Sequence, residues 1–178
     1  MSCILGNGVT LGCKDSLGGV KEVLIASYTN DEVYGYETDD TSADFGMVTS
    51  IVGSGTFYRF EMRQEQGEFV QQGQHSIENG SNYWEQSVSL VFVKNNAVDR
   101  NTLLVLAQST LLIIVKDQNN TYWLVGELNG AEISESTQSS GKGYGDLNGT
   151  TITLMGKEAA PARKVDDAII AGLLTPTP

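Results

Sequence analysis

Apolar and polar residues alternate with a period of two in several stretches of the chain, the mark of half-buried antiparallel strands. In "GTFYRFEMRQEQG" Tyr58, Phe60 and Met62 fall on one face, and Phe57, Arg59, Glu61 and Arg63 on the other. "YWEQSVSLVFVK" turns Val88, Leu90 and Phe92 inward and leaves Ser87 and Ser89 outside. "GVKEVLIASYTN" predicts a strand near residues 20–28, and "DEVYGYETDD" a short one at 32–36 beside an acidic loop. "TLLIIVKD" is continuously apolar and reads as a buried strand; "DQNN" then turns the chain and "TYWLVGEL" is its antiparallel partner. "AEISES" extends this meander, and "TTITLMGKE" is the last strand the pattern predicts.

The period changes once. "AVDRNTLLVLAQ" spaces Val98, Leu103, Leu104 and Leu106 for a short amphipathic helix near 97–107, with Asn96 or Asp99 as its cap. Such a helix would cover an open end or flank of a β layer and bury Leu103, Leu104 and Leu106. Residues 65–82 hold three glycines and isolated apolar residues, which reads as a long loop or a protruding hairpin. "TQSSGKGYGDLNG" reads as a flexible Gly/Ser loop. The expected fold is therefore mainly β: an antiparallel sandwich or barrel of about seven or eight strands with one short flanking helix. It divides into an extended N-terminal arm (1–19), the β domain (20–158) and a C-terminal tail (159–178) that carries all three prolines.

Composition narrows the functional classes. The 178 residues include 11 Lys+Arg against 22 Asp+Glu, a net charge of −11. Nucleic-acid readers cluster basic residues to neutralise phosphates, and this chain has no such footprint. No apolar run approaches the ~20 residues of a membrane-spanning helix, and the N-terminus lacks a signal-peptide pattern. Cys3 and Cys13 have no zinc-site spacing; they read as reduced thiols, with a local disulfide as the alternative.

The chemical inventory is thin. "GKGYGD" at 141–146 looks like a phosphate loop, but a strand follows it where a helix N-terminus is needed. Asp146 and Asn148 could ligate calcium, though an EF-hand requires more oxygen ligands. His75 is the only histidine, so a small hydrolase would have to work through it, and a solvated surface histidine is the plainer reading. Asp39, Asp40, Glu61, Glu65, Glu85 and Glu127 could each be nominated for glycosidase chemistry, which makes no pair distinctive. Trp84 beside Tyr83, and Trp123 beside Tyr122, could stack sugars; neighbours on a strand point to opposite faces, so a core Trp with a rim Tyr explains them equally.

The order of features from residue 68 to 165 carries a resemblance. "EFVQQGQHSIENGSNYWEQSVSLVFVK", the helix "DRNTLLVLAQ", "LLIIVKDQNNTYWLVGELNGAEIS" and "GKGYGDLNGTTITLMGKEAAPARKV" together resemble phage tail tube and related tail structural proteins. The resemblance covers a little over half the chain. It implies a non-enzymatic virion protein without cofactor, assembled in the host bacterial cytoplasm. Copies of the chain would close into a ring, typically hexameric, and stack on one another and on other tail proteins. Double-stranded DNA would pass through the lumen without specific binding. In that picture Glu85, Ser87, Ser89, Glu132 and Ser134 are candidate channel-lining residues, and Phe69, Val70, His75 and Ile77 candidate contacts between subunits or rings. The alternatives are another connector, terminator or capsid-associated protein, or a carbohydrate-binding β-sandwich using Trp84 or Trp123.

Overall fold

The computed structural model describes residues 16–39, 42, 44–94 and 97–174, with 97–99 described by backbone alone. Cys3, Cys13, Asp40, Asn96 and the Asp99 side chain lie outside that description. The fold is mainly β, as the alternation predicts, but richer: 11 strands and two helices among the described residues.

Four strands form an outer sheet in the order β9(Ala131–Ser139), β10(Gly149–Glu158), β6(Ser81–Val93), β5(Gly67–Ser76), all antiparallel. Residues 65–82 are thus mostly strand: β5 and β6 make one long hairpin around a turn at 77–80. A second sheet runs β4(Tyr58–Glu61), β1(Val20–Ser27), β7(Leu111–Asp117), β8(Tyr122–Val125), and continues through β11(Arg163–Val165), β3(Val48–Val52) and β2(Val33–Tyr36). The two are joined at one point, where Leu111 of β7 pairs with Ala131 of β9. The path ends at β2 and β5, which do not pair with each other, so the sheet stays open and is not a barrel.

Strand alternation builds two cores. Val23, Ile25, Leu111, Ile113 and Val115 face Val88, Leu90, Ile152 and Leu154 of the outer sheet. On the opposite side of β1 and β7, Leu24, Ala26, Leu112 and Ile114 pack with Val48, Ile51, Phe57, Val165 and Ile170. A strand buried on both faces has no polar side to offer, which is why "LLIIV" is unbroken. The tail supplies part of the second core. β11 pairs with β8, and α2(Asp167–Leu173), whose N-cap Asp166 accepts a bond from Ala168 N at 3.0 Å, buries Ile170.

Two local expectations are corrected. Phe57 does not share the polar face of Arg59; it precedes β4, is fully buried, and bridges to Leu174 of the tail. α1(Ala97–Gln108) buries Leu106 and packs Leu103 beside Phe60 and Phe92 at one end of the sandwich, but Leu104 is 47% exposed. The helix meets the core along a narrow stripe, and Leu104 lies one position off it. At the N-terminal side, Asn119 holds the chain like a short ladder: its Oδ1 accepts from Leu17 N at 2.9 Å and its Nδ2 donates to Leu17 O at 3.0 Å.

Candidate functional site

The outer sheet has one face in the core and the other turned away from it, and the second is where the polar candidates gather. Cross-strand register sets the rows. Glu85 sits between Gln72 and Lys157; Ser87 between Val70 and Met155, with Glu132 next along; Ser89 between Glu68 and Thr153, with Glu135 beyond. Thr151 pairs with Val91 and Thr137. The register therefore brings Glu85, Ser87, Ser89 and Glu132 onto one surface, though β9 is separated from β6 by β10. Ser134 is the extra residue of a bulge between Ile133 and Glu135, and its hydroxyl donates to Thr153 O at 3.1 Å. A bulge re-aims the strand and raises its local twist.

The face is rich in hydroxyls and acidic. Glu68, Glu85, Glu132 and Glu135 are opposed by Lys157 alone among these rows, and Lys157 Nζ is already 3.1 Å from Glu85 Oε1. Gln74 Nε2 donates to the other oxygen of Glu85 at 3.4 Å. The sequence pointed to five of these residues. It missed Thr151, Thr153, Met155 and Lys157, although "TTITLMGKE" carries the same alternation as β6, with Ile152 and Leu154 buried between them.

Among the described residues both outer strands of this surface keep an open edge: β5 pairs only with β6, and β9, beyond the Leu111–Ala131 contact, pairs only with β10. An exposed edge offers a row of free N–H and C=O groups to another chain.

Of the candidate contact residues, Val70, His75 and Ile77 are exposed. Phe69 is corrected: it turns inward onto Trp123, ring centroids 6.4 Å apart, at the margin of the first core. Trp123 is half-buried and donates to Asp117 Oδ2 at 3.2 Å. Trp84 is half-buried with His75 edge-on at 6.0 Å. The two tryptophans do not share a platform.

At the end of the sheet near the β5–β6 turn, buried polar groups fix the 126–130 loop. Glu158 Oε1 accepts from Leu128 N and Asn129 N at 3.0 and 2.9 Å, and burial raises its carboxyl above the ordinary Glu range against those bonds. Gln86, also buried, accepts from Gly126 N and donates to Ala160 O. Glu127 pairs with Arg163 at 3.2 Å and accepts from the Tyr36 hydroxyl at 2.6 Å; burial, then that bond, pushes Tyr36 up to about 12. These carboxylates are engaged in holding backbone and tail. At the opposite end, Asp146 accepts from Lys142 N and Gly143 N at 2.8 and 2.7 Å, which lowers its pKa and orders the 140–148 loop. Among the described residues no group of three or more His, Cys, Asp or Glu is placed to hold a metal ion.

No protein-family model matches this chain, and no curated protein sequence or solved structure shows significant similarity to it.

Proposed function

We propose that the chain is a structural subunit of a phage tail tube, assembling into rings that stack around a channel for DNA. The observation that carries the reading is the outer sheet: a hydroxyl-rich, acidic face bounded on both sides by strand edges that are unpaired among the described residues. Pairing the β9 edge of one copy with the β5 edge of the next extends a single sheet and keeps the polar face on one side. Repetition closes a ring when the rotation per copy is right, and closure removes the edges that otherwise invite uncontrolled pairing.

The chemistry of the face suits a lumen that DNA slides through. The duplex carries one negative charge per about 1.7 Å, so basic walls would bind it and retard it. Hydroxyls with four carboxylates and one already paired lysine offer no such hold. The order of sequence features from 68 to 165, which resembles tail tube proteins, supports the same reading.

Negative-stain microscopy of the purified protein, with mass photometry, tests it. Rings or tubes with an open centre are the expected result. A species that stays strictly monomeric at high concentration refutes it.

A further inference from the structure

Two turns project from opposite ends of the outer sheet. β6 runs from the β5–β6 turn at Ser81 to Val93, about 40 Å at ~3.3 Å per residue. At the first end the turn 77–80 presents Ile77, fully exposed, followed by Glu78. At the second end, beside Val93, the 140–148 loop presents Tyr144, also fully exposed, with Lys142 two residues before it. An isolated apolar side chain on a surface is ordinary. These two stand at opposite poles of one sheet, each on a turn fixed by its own hydrogen bonds.

The turns are ordered before any partner arrives. Ser76 Oγ accepts from Asn79 N at 3.3 Å, and Gly80 takes φ +60°, which closes the first turn. In the second, the Asp146 carboxylate gathers the N–H groups of Lys142 and Gly143, and Asn148 O accepts from Lys94 N at 2.8 Å. A rigid aromatic on a fixed loop binds with little ordering cost. Charge is complementary as well. Glu78 and Lys142 enter no ion pair among the described residues, whereas Lys157, on the outer sheet's polar face, is held by Glu85.

We propose that the 77–80 turn of one copy docks on the 140–148 loop of a second copy, Ile77 packing on Tyr144 and Glu78 pairing with Lys142. The two surfaces differ and lie at opposite ends, so the contact is head-to-tail, and between copies related by a shift along the strand direction it repeats without closing on itself. It adds copies along the strand direction, whereas the β5 and β9 edges add them sideways. The inference rests on the self-assembly proposed above and deepens it by naming the residues that join successive rings.

Ile77→Ser, Tyr144→Ser, Glu78→Lys, Lys142→Glu and the double reversal Glu78→Lys with Lys142→Glu are compared with wild type by microscopy and sedimentation velocity. All four sites are exposed, and ring formation itself reports folding. Stacked wild type with single rings for Ile77→Ser and Tyr144→Ser supports the inference, with the concentration needed for stacking raised on the order of tenfold. Loss in each single charge reversal and recovery in the double one supports the Glu78–Lys142 pair. Variants that stack as wild type does overturn the inference while ring assembly stands. A wild type that never forms rings overturns the assembly reading and this contact with it.

Discussion

The three leucines of α1 separate a pattern read from sequence from the packing in the fold. Leu→Ala deletes three side-chain carbons, about 2.4 kcal/mol at ~0.8 kcal/mol each when fully buried. Leu106 is 7% exposed and touches the first core, so nearly all of that is lost. The cavity left between α1, Phe60 and Phe92 raises the cost of Leu106→Ala to roughly 3–4 kcal/mol. Leu104 is 47% exposed, which about halves the transfer loss. No cavity opens in solvent, and alanine's better helix propensity returns a few tenths of a kcal/mol. Leu104→Ala should therefore cost only about 0.5–1 kcal/mol. Urea unfolding followed by circular dichroism, at a concentration low enough to keep the protein monomeric, measures both against wild type with the slope held constant. Equal losses for the two variants would refute the stripe-wise seating of α1, as would a Leu106→Ala loss below about 1 kcal/mol.

Other substitutions probe other links. Gly130 has φ +71°, and an added Cβ would lie 2.3 Å from Thr110 Cγ2 and 3.2 Å from the Tyr28 ring. Gly130→Ala should cost about 1–3 kcal/mol, and an unchanged melting temperature would contradict that strain. Burial raises the Glu158 carboxyl above its usual 4.5, so the folded chain holds that proton more tightly than the unfolded one. Its contribution to stability is greatest below the ordinary Glu value and declines as pH rises through the raised one. Glu158→Gln keeps an oxygen for Leu128 N and Asn129 N, and the melting-temperature difference from wild type should move in its favour across that window; a constant difference refutes the assignment. Ser87→Lys combined with Ser89→Lys places cations on the polar face. Assembled particles of this variant should retain duplex DNA with an affinity that falls as salt rises, and indifference to DNA would remove the link between that face and a lumen.

Much of the architecture could be read from residue order because strand alternation is a local signal. β1, β6, β7, β8 and β10 lie where the pattern predicts them, and Val88 and Leu90 face inward as expected. β3 and β11 escaped because their burial comes from partners distant in sequence: Val48 pairs with Val165, and both sit under α2. Phe57 was misassigned for the same reason, since its cover is Leu174. Phe69 and Val70 stand isolated in a polar, glycine-containing stretch, which groups both with the projecting turn, yet alternation along β5 separates them onto opposite faces. The polar surface was legible strand by strand. That β6 and β9 lie in one sheet with a strand between them was not, because β10, which aligns them, follows both in the chain.

β7 belongs to both cores at once, giving Ile113 and Val115 to one and Leu112 and Ile114 to the other, with β1 along one edge and β8 and β9 on the other. Neither half of the molecule can melt while the other stays intact. The amides of this strand should then exchange with deuterium only through global opening, the slowest class in the protein. A chain built around such a rivet is either whole or absent, so in the proposed ring half-formed copies with a single finished layer do not accumulate where they could be mistaken for building blocks.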